Sequence, residues 1–199
     1  MRAGLQWFLG ILALLVALGF FADLPHQCGH HRAFTTVWWS RGFCRSGERP
    51  ASTCLKTLTS AQADFRANDR DGDGKNQFWR GDVTGLYTLA PPGGTAIKLI
   101  ELSVAAADDR PVTDLSPYSV RSQKAGYWFR ALRHADEDPK ALDPNRFAYC
   151  AFPDIPGAGK YLFIVDENNT VYRAVAAGRR GIEVFPAPEE LRTQWSKFD

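Results

Sequence analysis

The sequence predicts an α+β domain behind an apolar N-terminal segment, on three observations. After Pro50, the residues Cys54, Leu58, Ala61 and Phe65 recur at spacings of four, three and four, which places them on one buried stripe of a helix. In the last third the period changes: residues 126–132, 147–152, 161–165 and 170–175 are short aromatic and β-branched runs set apart by Gly, Pro, Asn and Asp, the chemistry of strands. Before both lie residues 3–22, apolar apart from Gln6. Helices first and strands afterwards imply an antiparallel sheet packed against the helix that carries Cys54.

Composition sets the scale. The chain has 199 residues, of which 45% are hydrophobic and 23% charged, enough apolar surface for one core and too little length for several domains. Its 24 basic residues are offset by 22 acidic ones, so no electrostatic footprint for a phosphate backbone exists and nucleic acid is not an expected partner. Three segments follow: a membrane anchor or signal over residues 1–22, a linker over 23–50 and the domain over 51–199.

Twenty residues at ~1.5 Å each just cross a hydrocarbon layer of ~30 Å. Ala17, Leu18 and Gly19 offer a signal-peptide cleavage site, but the apolar run continues through Phe20, Phe21 and Ala22 and carries Trp7 near its other end, which favours an uncleaved anchor with the membrane as partner. Arg32, Arg41, Arg45 and Arg49 after the segment would by themselves keep the domain inside. Against them stand four cysteines in a chain with one methionine and an export-like start, so the domain is expected outside the cytoplasm. Of the three connectivities four cysteines allow, Cys28–Cys44 with Cys54–Cys150 is the expected disulfide pairing; four unpaired thiols are the alternative.

Within the domain, Ser52 is the expected cap of the first helix, which should end near Asn68. A second helix is expected over residues 95–106, where Ile97, Ile100 and Val104 line one side. Asp166, Glu167, Asn168 and Asn169 read as a hairpin turn, with Tyr161, Phe163 and Val165 on one face and Leu162 and Ile164 on the other. A short helix from Pro188 to about Lys197 closes the chain.

The sharpest chemical signal is Asp69, Asp71 and Asp73 at alternating positions with Gly72 and Gly74. Oxygen ligands at that spacing suit a hard cation such as calcium, and glycine permits the tight turn. The twelfth loop position is Arg80 where an EF-hand has Glu; Asp82, two residues on, is the substitute ligand in a differently shaped loop. The other reading is a plain Asx and Gly turn neutralised by Arg66, Arg70, Lys75 and Arg80. His26, Cys28, His30 and His31 gather zinc or copper ligands without paired ligand spacing, and read better as a solvated linker. Cys150 with His134 is the one thiol–imidazole combination to weigh, although Cys150 lies in an aromatic strand. Trp79, Tyr127 and Trp128 read as core, or as a platform for a carbohydrate or peptide.

Several stretches recur in a recognisable order: Cys54 through Arg66, the Asp and Gly loop, Phe78 and Trp79, then Gly81 through Tyr87, Gly126 through Arg130, Gly159 through Val165 and Asn169 through Tyr172. In these the chain resembles a bacterial family of pilin-like envelope proteins of unassigned function, related in layout to type IV pilins and type II secretion pseudopilins. The resemblance covers residues 54–174 and implies a pilin-like domain with a helix packed on a three- to four-stranded antiparallel sheet, with no catalytic residue. In pilins a basic leader ending in Gly precedes Phe and a span that runs straight into the long helix; here Gly19 and Phe20 follow the apolar run, and Pro25 and Pro50 interrupt what comes next.

The functional expectation is a non-catalytic protein of the bacterial cell envelope, tethered by its transmembrane helix, calcium-stabilised and compatible with an envelope protein partner. A pseudopilin subunit of a secretion or pilus machine and an envelope thiol enzyme or redox protein are the alternatives. No small-molecule substrate can be named from the sequence.

Overall fold

In the computed structural model, the described residues are 47–138, 143–155 and 159–199. They belong to one compact unit. Its first element is the helix α1, Glu48–Ala67. Ala51, Cys54, Leu55, Leu58, Ala61 and Phe65 are buried along one side, the stripe expected from their spacing. The helix begins before Ser52: Pro50 falls in its first turn, where a missing N–H costs nothing, and the Ser52 hydroxyl donates to Arg49 O at 3.0 Å from inside the helix. It ends where Asn68 N–H bonds back to Asp64 O (3.1 Å) and Asp69 turns to φ 44°.

Strands β1 (Tyr127–His134), β2 (Ala148–Pro153), β3 (Tyr161–Asp166) and β4 (Val171–Val175) form an antiparallel meander. Two further strands of two residues each extend it at both edges: β5 (Val184–Phe185) runs parallel to β1 and β6 (Ser196–Lys197) antiparallel to β4, giving the order β5-β1-β2-β3-β4-β6. The expected architecture, a membrane-spanning helix followed by a pilin-like helix on a three- to four-stranded antiparallel sheet, is therefore corrected to a six-stranded mixed sheet. Two-residue strands carry no periodicity of their own. They form because the chain past Ile182 is laid against finished edges of the meander, where unpaired backbone groups accept it.

No helix among the described residues is long and apolar enough to cross a membrane. The segment over residues 3–22, where a span was expected, and the 23–46 part of the linker lie outside the described residues.

The sheet is covered on both faces. Phe129, Tyr149, Phe163 and Val165 pack with α1 and with the loops that carry Val83, Leu86 and Val104. On the opposite face Leu132, Cys150, Leu162 and Ile164 pack with Phe185 and Trp195 from the C-terminal segment, which includes the short helix α4 (Pro188–Gln194). Every residue of β2 is accordingly buried, whichever way it points. The alternation expected for residues 161–165 is the alternation seen, with the Tyr161, Phe163 and Val165 set toward α1.

The second helix is corrected as well. Between α1 and the sheet only single turns form, α2 (Gly85–Thr88) and α3 (Leu102–Ala105). Residues 97–99 are kept out of a helix because their N–H groups bond Leu89 O (2.8 Å), Tyr87 O (3.2 Å) and Leu86 O (2.9 Å), with Lys98 in the left-handed region at φ 50°. Ile100 and Val104 are buried as a helical stripe would require, but the backbone found its partners in α2 instead of in itself.

Candidate functional site

The Asp loop leaves α1 at its C-terminus. Positive φ at Asp69 (44°), Gly72 (69°) and Gly74 (82°) curls the chain back on itself, and one carboxylate oxygen from each of Asp69, Asp71 and Asp73 comes within 4.8 Å of the other two. Gly74 N–H donates to Asp69 Oδ2 (3.0 Å), and Asp73 accepts from Lys75 N–H (2.8 Å) and the Gln77 side chain (2.8 Å). The remaining Oδ1 atoms of Asp69 and Asp71 are out of solvent contact and have no hydrogen-bond partner among the described residues. Burial, then the neighbouring charge of Asp73, raises the pKa of the Asp71 carboxyl. Carboxylates ~5 Å apart at an effective dielectric of ~20 repel by roughly 3 kcal/mol per pair.

The cations expected to neutralise this cluster are mostly engaged elsewhere. Arg70 pairs with Asp64 of α1 (2.6 Å). Arg66 bonds Asn145 (2.9 Å) and lies over the Phe78 ring at 4.8 Å. Arg80 forms a buried ion pair with Glu137. Lys75 stands 3.8 Å from Asp73 with most of its side chain in water. Among the described residues, the three converging carboxylates thus share one solvated ammonium.

Asp82, the fourth expected ligand, is not part of this cluster. It is buried, and its carboxylate accepts from Trp79 Nε1 (3.0 Å), Gly85 N (2.7 Å), Val112 N (2.7 Å), Thr113 N (2.7 Å) and Thr113 Oγ1 (2.9 Å). Five donors exhaust its lone pairs, so it ties two loops together and holds no ion. Asp108 works alongside it, accepting from Val83 N (2.8 Å), Thr84 N (2.9 Å), Thr84 Oγ1 (3.1 Å) and Arg110 N (2.9 Å). Burial raises the Asp108 pKa against the pull of these donors, and the charge of Asp82 adds to the rise. The Asp82 carboxylate takes the N–H of Gly85, the first residue of α2, three positions along the chain, a local turn contact that spacing alone makes legible in the sequence.

The loop is anchored by a residue the sequence did not single out. Gln62 of α1 is fully buried; its amide donates to Trp79 O (2.5 Å) and to the Tyr149 hydroxyl, and its oxygen accepts from Trp79 N–H (3.0 Å). It holds the return of the loop against both helix and sheet. A single Gln on an apolar helix face was the only available signal.

Neither Cys54 nor Cys150 is in a disulfide, which corrects the expected Cys54–Cys150 bridge. Cys54 packs on the α1 face of the sheet and Cys150 on the opposite face, so β2 itself lies between them. Burial raises both thiols, Cys150 to about 12. Cys28 and Cys44, together with His26, His30 and His31, lie outside the described residues.

His134 is not beside Cys150 either. Cys150 stands opposite Arg130 in the β1–β2 ladder, four residues of β1 from His134, or about 13 Å at ~3.3 Å per residue. The His134 ring instead accepts from Arg146 at Nδ1 (2.7 Å) and packs on Phe185. Of the aromatic residues weighed as a platform, Tyr127 is buried with its hydroxyl on Tyr161 O (3.1 Å), and Trp79 is tied to Asp82. Trp128 alone lines an open cleft.

Comparison with known protein families, with curated proteins and with solved structures finds no match.

Proposed function

We propose that this is a non-catalytic protein of the bacterial cell envelope, tethered to the membrane by residues 3–22 with its domain outside the cytoplasm, and that calcium stabilises the domain at Asp69, Asp71 and Asp73. One observation carries the calcium reading: three carboxylates converge while Arg66, Arg70 and Arg80 are spent on other partners. A divalent cation supplies the missing positive charge and gives the buried Oδ1 atoms of Asp69 and Asp71 a partner. With three protein carboxylates and the rest of its shell drawn from water and backbone oxygens, such a site belongs to the weak extracellular range, with Kd on the order of 0.1–1 mM. Absence of catalysis is supported by the use of Asp82, Asp108, Arg80 and Glu137 inside the fold and by the distance between Cys150 and His134.

Thermal melting in calcium and in chelator tests the reading. At a calcium concentration near ten times Kd the linkage relation gives about 1.4 kcal/mol, a rise of roughly 3–5 °C for a domain of this size. Asp71→Asn should abolish the rise and, in chelator, melt above the wild-type chain because one repulsion is gone. No shift with millimolar calcium would remove the ion from the account. For location, recovery in alkali-washed membranes with the domain digestible from outside spheroplasts is expected; recovery in the soluble cytoplasm overturns it.

A further inference from the structure

A cleft of about 420 Å³ opens where β1 and β2 meet the segment that leads into β5, on the face of the sheet away from α1. Its volume falls in the range of small-molecule sites, ~300–1,000 Å³. Trp128 forms its floor, backed by the nearly fully buried Phe152 directly opposite it in the β1–β2 ladder. The indole is fixed in place, since Nε1–H donates to Asp154 Oδ1 (2.5 Å) and the Arg121 guanidinium sits 5.6 Å from the ring centre. Gly181 closes over Phe152 so tightly that a Cβ there would lie 2.7 Å from the Phe152 ring. The absence of a side chain at Gly181 therefore shapes the wall.

Around this floor stand three guanidinium groups, Arg110, Arg130 and Arg180, and three carboxylates, Asp109, Asp154 and Glu183. Arg130 is consumed by Asp109 (2.5 and 3.0 Å) and Ile182 O (3.2 Å), and it backs the Phe152 ring at 5.0 Å. Arg110 meets Glu183 at 2.7 Å on the open rim. Among the described residues the Arg180 guanidinium makes no hydrogen bond or ion pair, and Asp154 Oδ2 has no donor. The cleft therefore presents unused planar donors and unused acceptors over an aromatic floor, with no net charge.

That combination selects a ligand class. A phosphate or polyanion needs an excess of guanidinium, a polyamine needs an excess of carboxylate, and an apolar ligand would strip water from charged groups without replacing it. A neutral sugar ring does none of these: its hydroxyls both donate and accept, and its C–H face lies on an aromatic ring. We infer that the Trp128–Phe152 cleft is a binding site for a neutral saccharide, with Trp128 as the stacking surface and Arg180, Asp154 and Glu183 as the polar contacts. This site is separate from the Asp loop and stands or falls independently of calcium.

The test uses the full chain with ¹⁵N-labelled tryptophan, held where needed in a phosphocholine detergent that contains no sugar. Titration with cellobiose or N,N′-diacetylchitobiose should move the indole N–H signal of Trp128, assigned by its loss in Trp128→Phe, and saturate in the low-millimolar range, about −4 kcal/mol or somewhat weaker. Arg180→Ala and Glu183→Gln, both at exposed positions, should each weaken binding at least about threefold without changing the melting temperature. The inference is overturned if neither disaccharide moves the signal by about 20 mM. It is also overturned if both variants bind like the wild type, or if triglycine saturates the same signal at lower concentration than either sugar, which would make the cleft a peptide site.

Discussion

Arg80 and Glu137 meet through a two-point ion pair in which both side chains are almost out of solvent, 7% and 4% exposed. The second contact measures 2.6 Å, and Glu137 also accepts from His134 N (2.9 Å) and Asp143 N (3.2 Å), while Arg80 reaches Asp143 O at 2.5 Å. Removing one partner of such a pair leaves a buried charge unpaired, so Glu137→Gln should destabilise the fold by about 3 kcal/mol in chemical denaturation.

The same pair sets an acid limit. The Arg80 hydrogen bond holds the Glu137 carboxyl down from the ordinary 4.5 to about 2. A depressed carboxylate pKa contributes stability that is fully present above the unfolded value and drains as pH falls through the folded one. The contribution here, about 3 kcal/mol, should be lost between pH 4.5 and 2. Denaturation midpoints measured across that window should slope more steeply for the wild type than for Glu137→Gln; parallel slopes would contradict the assignment.

Gln62 makes a second prediction. Truncation to Ala leaves Trp79 O, Trp79 N–H and the Tyr149 hydroxyl without their partner in a dry setting, at a cost of about 2–4 kcal/mol. Because the released groups include Trp79, the Gln62→Ala chain should also show tryptophan emission shifted to longer wavelength under native conditions.

Asp82→Asn replaces one oxygen with an NH₂ group, placing donor against donor at either the Trp79 and Gly85 side or the Val112 and Thr113 side. The expected loss is about 3 kcal/mol, the upper range for hydrogen bonds to a charged group, read as a lowered melting temperature. Its calcium response should stay that of the wild type, whereas Asp71→Asn loses the response with little change in the core. A lost calcium response in Asp82→Asn would return Asp82 to the ligand set.

The thiols supply a chemical check on the sheet. In a variant with Cys28 and Cys44 replaced by Ser, Cys54 and Cys150 should resist a thiol reagent in the native state and both react in denaturant without prior reduction. A requirement for reductant would mean that they are bonded to each other, which is incompatible with Cys54 and Cys150 on opposite sides of β2.

The sequence by itself determined the elements whose signal is local. The four-three-four spacing of Cys54, Leu58, Ala61 and Phe65 is satisfied within five turns of α1, and the alternation of Tyr161 through Val165 is satisfied within one strand, so each could be read without knowing what lay opposite. Asp69, Asp71 and Asp73 belong to the same category, because a turn of six residues brings its own carboxylates together. Tertiary structure decided everything that depends on a distant partner. Asp82 looked like a loop ligand until Val112 and Thr113 arrived to bond it, Arg80 like a free neutralising charge until Glu137 covered it, and residues 97–99 like a helix until α2 took their hydrogen bonds. Edge strands β5 and β6, and the separation of Cys54 from Cys150, exist only once the meander is complete. Apolar periodicity records which way a side chain points; it does not record which donor or edge, far along the chain, will meet it there.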